Sequence, residues 1–240
     1  IITGGIAAYK SLELVRGLKE KGVKVIPVMT KAAENFVTPM SVSALAQEKV
    51  FNKLFDLTDE AEMGHIELSR SSDLIIVVPA SADFIAKTAT GQANDLASTL
   101  ILATDTKVLM APAMNVRMWE NPLTQKNIKI LHNNGVKFVG PDEGEMACGE
   151  FGFGRMAEAD EILKEIEANF RDKKLKGRHF LVTSGPTIEP IDPVRFIGNR
   201  SSGLQGGAIA NELVESGAEV TFITGPVNLD LPHGSNIIRV

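Results

Sequence analysis

Apolar residues along the chain recur in two alternating patterns. From Ile6 to Lys21 the positions Ile6, Leu12, Leu14, Val15 and Leu18 follow helical spacing and stop at Gly22, a residue suited to a helix C-terminus. Val23 to Met29 comes next as an extended run. Short apolar runs then alternate with helical stretches: Asp73 to Pro79, a helix near Ser81 to Thr88, Asn94 to Thr104, Lys107 to Ala111, Pro122 to Asn134 and Val136 to Val139. Runs without polar alternation, separated by helices, predict a parallel sheet covered on both faces. The expected class is α/β, a doubly wound sheet of the flavodoxin-like or Rossmann-like kind. Only Ile1 and Ile2 precede the first glycine turn, whereas a buried strand usually needs about five residues, so the chain is expected to begin inside its first strand.

Glu158 to Phe170 reads as a closing amphipathic helix, and the charged stretch Arg171 to Arg178 after it reads as a linker. The expected domains are therefore 1–171 and 172–240. Past the boundary, His179 to Thr183 reads as a strand, Gly203 to Ser216 as a helix and Ala218 to Thr224 as another strand. About 70 residues make one βαβ unit and a further strand, short of a usual domain of about 100 to 150, so the second domain is expected to be incomplete.

Composition narrows the function classes. With 240 residues, 44% hydrophobic and 23% charged, the chain buries a sizeable core, which excludes disordered, collagenous and disulfide-scaffold classes. A formal charge of -5, with no basic surplus in either part, opposes sequence-independent binding to nucleic acid and favours a small-molecule partner. One cysteine forms no internal disulfide, which fits a reducing compartment and a cytoplasmic location. No apolar run approaches the roughly 20 residues of a membrane span.

Candidate chemistry gathers at predicted strand ends. Gly4-Gly5 ends a strand and opens a helix, where backbone N–H groups hold a phosphate, although a tight turn alone accounts for the pair. The full dinucleotide fingerprint is missing, and Thr30-Lys31 stands where an acidic residue would close the second strand, which counts against a nicotinamide dehydrogenase. Thr30, Pro79-Ala80-Ser81 and Pro112-Ala113-Met114-Asn115 place small or hydroxyl residues at the carboxyl edge of the sheet, where α/β ligands bind. Asn115 reads either as a helix cap or as a group that donates to and accepts from a ligand. His65 is expected on a loop before a strand, with an imidazole that gains or loses a proton near neutral pH. The four histidines show no paired ligand spacing, so no metal is expected, and no serine-hydrolase motif occurs. Gly140 to Arg155 is too glycine-rich for a stable helix or a central strand and reads as a mobile flap. In its middle, Cys148 is either an incidental surface thiol or one that reaches a substrate.

Five segments taken together, Gly4-Gly-Ile-Ala-Ala-Tyr-Lys10, Met63-Gly-His-Ile-Glu67, Ala93-Asn-Asp-Leu-Ala-Ser-Thr99, Pro112-Ala-Met-Asn-Val-Arg-Met-Trp119 and Ala147-Cys-Gly-Glu-Phe-Gly-Phe-Gly-Arg-Met156, resemble the phosphopantothenoylcysteine decarboxylases. These belong to the homo-oligomeric flavin-containing cysteine decarboxylases. Thr183 to Gly203 resembles the opening of the phosphopantothenate-cysteine ligase domain that is fused to the decarboxylase in the bacterial bifunctional enzymes of coenzyme A synthesis.

The resemblance implies FMN-dependent decarboxylation of 4'-phosphopantothenoylcysteine to 4'-phosphopantetheine, without net redox change. It implies His65 for the oxidative decarboxylation, Asn115 for the substrate carboxylate and Cys148 as the proton donor to the enethiol intermediate. Met118, Ala147 and Arg155 become candidate substrate contacts, with a fold-stabilising role for Arg155 equally open. Gly5, Thr30, Ser81, Asn94, Asp95 and Ser98 become candidate FMN contacts. Arg195 and Asn199 match the ligase motif, whose activity uses CTP with Mg2+. Leu204 stands where many members have Lys, and the later ligase motifs do not occur, so no ligase activity is expected of this chain. The resemblance also implies a trimer, with trimers assembling into a dodecamer. A non-catalytic flavin-binding regulator of the same fold is the alternative, which the joint presence of His65, Asn115 and Cys148 disfavours.

Overall fold

The computed structural model describes residues 1–54, 65–146, 149–171 and 173–240, with the side chains of His65 and Ile66 left out. The candidates Ala147 and Cys148 lie outside the described residues. Residues group into two compact units, Ile1–Glu165 and Ile166–Val240.

In the first unit, strand β1 (Ile75–Ala80) pairs in parallel with β2 (Val108–Pro112), and β2 with β3 (Lys137–Phe138). On the other side of β1, the Val78 amide donates to the Ile1 carbonyl. Ile2 bridges to Met29 and Val28 to Phe51, both in parallel. Numbering these segments along the chain gives the order 3-2-1-4-5-6, the doubly wound order in which the first segment lies at the centre. The expected run Val23 to Met29 is shorter in the fold, pairing only near its end.

Successive residues face opposite sides, and both sides are covered. Val28 packs with Val77, Phe84, Ile85 and Met110, while its neighbour Met29 packs with Ile2, Ala8, Val37 and Val42. The covering helices are α1 (Lys10–Glu20), entered through a 3-10 turn at Ile6–Tyr9, α2 (Pro39–Ala46), α3 (His65–Arg70), α4 (Ala82–Ala89), α5 (Leu96–Ala103), α6 (Val116–Glu120), α7 (Pro122–Asn133) and α8 (Ala159–Phe170). Phe84 and Ile85 are 1% and 0% exposed, and full burial of each stabilises the fold by about 1.5–3 kcal/mol.

One expectation changes. His65 is not on a loop; it is the first residue of α3, a helix whose Leu68 and Ser69 are buried, and burial of that face fixes the helical backbone. Among the described residues, the glycine-rich stretch enters no helix and no central strand. It forms an antiparallel hairpin of its own, β4 (Asp142–Glu145) with β5 (Phe151–Arg155), outside the main sheet. By contact the units divide within α8, between Glu165 and Ile166, and beyond that helix Arg171 pairs with Glu215 inside the second unit.

The second unit carries a parallel sheet in the order β10 (Asn236–Arg239), β9 (Glu219–Thr224), β6 (His179–Ser184). Helix α9 (Leu204–Glu215) crosses from β6 to β9, and Ala210, Ala218, Val220 and Phe222 form its core. A separate hairpin, β7 (Ile188–Pro190) with β8 (Phe196–Gly198), lies between β6 and α9 in sequence.

Candidate active site

The central position of Ile1–Thr3 makes its carboxyl end the switch point of the sheet, because connections leave the neighbouring strands toward opposite faces there. Thr3 is 1% exposed, and its Oγ1 donates to the Pro79 carbonyl at 2.7 Å and accepts from the Ser81 amide at 3.0 Å. One buried hydroxyl thus ties together the two strand ends that flank the crevice. The next residue has to be glycine, since a Cβ on Gly4 would stand 2.5 Å from the Ala32 Cβ. Gly5 faces open space, and the helical run from Ile6 into α1 begins directly after it.

The other candidates at this edge occupy identifiable posts. Thr30 accompanies the same strand ends: its amide and its Oγ1 both donate to the Ile2 carbonyl, at 3.0 and 3.4 Å. Ser81 caps α4, its Oγ accepting from the Phe84 amide. Asp95 and Ser98 form a reciprocal capping box at the start of α5, and Ser98 is buried with its hydroxyl bonded to Asp95. Lys87 reaches Asp95 at 3.4 Å and Asp83 at 3.2 Å, while Asn94 is exposed.

Asn115 is the cap of α6. Its Oδ1 accepts from the Met118 amide at 2.8 Å, and its carbonyl accepts from the Trp119 amide. The hairpin β4–β5 packs against this loop: the Met114 amide donates to the Gly154 carbonyl at 3.0 Å. A Cβ on Gly154, at φ +143, would stand 2.3 Å from the Met114 carbonyl oxygen, so glycine permits the approach. Met118 is 46% exposed beside Asn115 on α6. The Asn115 loop, with Met118 next on α6, therefore meets the hairpin at Gly154, while Thr30 and Ser81 bond to the strand end Ile2–Thr3.

At the base of the hairpin, Arg155 pairs with Glu158, and Glu158 accepts from Lys10 at 2.9 Å. Lys10, with Arg155 beside it, holds the Glu158 carboxyl below the usual carboxylate range, so the cluster stays charged as pH falls toward ordinary carboxylate values. Burial, and then the nearby Glu161, push the Asp142 carboxyl up. Sequence reasoning gave no role to Thr3 or Glu158 and used Lys10 only within the first motif. Thr3 carries the one local signal, a hydroxyl residue between an apolar strand and two glycines.

Other features lie away from this edge. A concavity of about 460 Å³ among Thr88, Gln92, Leu102, Lys107 and Asn134 stands at the amino edge, ahead of β2 and β3. In the second unit, the Arg195 Nε donates to Asp192 at 2.6 Å, and Asn199 donates to Thr187 at 3.4 Å and accepts from the Ser201 amide. Among the described residues, no group of three or more His, Cys, Asp or Glu side chains is placed to hold a metal ion, and no helix is long and apolar enough to cross a membrane.

A doubly wound sheet with a glycine turn at its switch point defines a class of α/β proteins that bind a nucleotide-like ligand at the carboxyl edge. Within that class the chain belongs to the flavoprotein family: residues 1–171 match the family model described as Flavoprotein. Residues 175–240 match the DNA/pantothenate metabolism flavoprotein C-terminal domain. The chain is 48% identical over 239 residues to the coenzyme A biosynthesis bifunctional protein CoaBC of Vibrio parahaemolyticus, covering 100% of this chain and 60% of that protein. It is 42% identical over 236 residues to the protein of that name in Bacillus subtilis, covering 97% and 58%. The chain thus spans less than two thirds of the length of these relatives. Among solved structures, a PPC decarboxylase variant complexed with pantothenoylaminoethenethiol is 30% identical with a TM-score of 0.61, covering 69% of this chain and 93% of that one. The FMN binding protein AtHal3 is 29% identical with a TM-score of 0.60, covering 70% and 93%.

Proposed function

We propose that residues 1–171 bind FMN at the carboxyl edge and decarboxylate 4'-phosphopantothenoylcysteine to 4'-phosphopantetheine. The observation that carries this reading is the switch point: Gly4-Gly5 opens a helical run beside the strand ends joined by Thr3. The residues there fit FMN. The first amides of a helical run have no partner within it, Gly5 leaves room for a phosphate to approach the backbone, and the hydroxyls of Thr30 and Ser81 flank the turn. Asn94, Asp95 and Ser98 would line the next strand connection; the Ser98 hydroxyl, spent on its cap, would hold that turn in shape.

When bound, FMN supplies a reversible two-electron sink, which a carboxylate without a neighbouring carbonyl lacks. The chain's own residues bind and move protons. Since the Asn115 Oδ1 is occupied by the cap bond, its Nδ2 is left to donate to the substrate carboxylate. Met118, beside it on α6, contacts the substrate, as does Ala147. Arg155, already paired with Glu158, supports the hairpin. His65 acts in the decarboxylation, and Cys148 delivers a proton to the substrate-derived enethiol. Water is kept out by the hairpin.

In the longer protein, Arg195 and Asn199 would serve ligation of cysteine to 4'-phosphopantothenate with CTP and Mg2+. The chain itself is proposed to assemble as a trimer and further into a dodecamer, and to act in the cytoplasm.

The test is to purify the chain, record its visible spectrum, and follow substrate and carbon dioxide. The parent is yellow and forms product. Cys148→Ser releases carbon dioxide without completing the product, and His65→Asn loses at least about 100-fold of both steps. A yellow protein with no turnover would leave the non-catalytic flavin-binding alternative standing.

A further inference from the structure

Lys10 is the first residue of α1, one turn into the helical run that opens at Ile6. Its side chain is only 11% exposed, which costs free energy unless the ammonium is partnered. The partners come from the far end of the unit: the Glu158 carboxylate at 2.9 Å and the Met156 carbonyl at 3.3 Å. Glu158 directly precedes α8, and its carbonyl accepts from the Glu161 and Ile162 amides, both at 3.1 Å. An anion is favoured there. The same carboxylate pairs with Arg155, the last residue of β5, which stands opposite Asp142, the first residue of β4. Three charged side chains therefore meet at the hairpin's base. The other side of that base is pinned by the Met114-to-Gly154 bond to the loop that carries Asn115.

We propose that Glu158 is a positioning residue that locks the base of the β4–β5 hairpin to the start of α1, so that the hairpin meets the carboxyl edge in a single pose. Glu158 itself touches no substrate. It acts through Arg155 and Lys10, which join the hairpin to the helix after the Gly4-Gly5 turn. The role in turnover rests on the decarboxylase reading; the role in holding the hairpin does not.

The test compares the whole chain with Glu158→Gln, Lys10→Met and the double variant by amide hydrogen exchange, FMN affinity and decarboxylation kinetics. In each single variant, exchange at 142–145 and 151–155 rises about tenfold or more while β1 and β2 keep their protection. The kcat falls about 10- to 100-fold with FMN affinity held within about twofold. The double variant matches the worse single variant, because both remove one joint. Arg155→Met, from the hairpin side, gives the same exchange pattern. Unchanged hairpin exchange and kcat in the single variants would overturn the proposal, and so would exchange that rises equally in β1 and β2, which marks general support of the fold. A parent without turnover would remove the decarboxylase reading alone, and hairpin exchange would still decide whether the joint exists.

Discussion

The two units of the chain present the same local arrangement, a parallel strand that ends in a hydroxyl residue near a glycine turn and a helix, yet they use the hydroxyl differently. In the first unit, Thr3 reaches across to the neighbouring strand end, bonding the Pro79 carbonyl and the Ser81 amide. In the second, the Ser184 Oγ donates to the Gly203 carbonyl at the start of α9, within the strand's own connection. The strand Ile1–Thr3 has neighbours on both sides, whereas among the described residues β6 pairs with β9 alone and its Leu181 is 63% exposed.

Variants can break that contrast. The largest effect is expected from Phe222→Ala, which empties a site that is 2% exposed and costs the second unit about 3–5 kcal/mol, read as faster hydrogen exchange in β6 and β9. FMN affinity stays within about twofold of the parent on the same scale of argument, since no FMN candidate lies in that unit. Loss of flavin would show that the two units do not act separately. Thr3→Val leaves the buried Pro79 carbonyl and the half-buried Ser81 amide without their partner and costs about 1–3 kcal/mol, read by thermal unfolding, with FMN binding weakened about tenfold. Thr3→Ser keeps both. Smallest is Ser184→Ala, about 1 kcal/mol by exchange in β6, with flavin binding unchanged.

Much of this architecture was legible because its signals are local. The helix ending at Gly22, where φ is +75, and the buried runs of β1 and β2 arise from spacing and burial over a few residues. Helix α2 escaped because Pro39–Ala46 is built from small and apolar residues with little contrast between faces; its readable mark is the Thr38 cap ahead of Pro39. The strands of the β4–β5 hairpin have no local signal, because Gly152 and Gly154 are poor strand formers. Their reason for being there, the close approach of Val116 and Met114, comes from another part of the chain. The same holds for Lys10 and Glu158, which meet across 148 positions. Asn115 shows how a motif reading and a structural reading coexist: the cap uses one face of the amide and leaves the other.

The cap of α6 also has an optical side. Trp119 is the chain's single tryptophan, its amide is bonded to the carbonyl of Asn115, and its own carbonyl accepts from Gln125. Intrinsic indole emission is therefore a built-in gauge of this one loop, free of background from any second indole, and it tracks the surroundings of the asparagine without a label being attached.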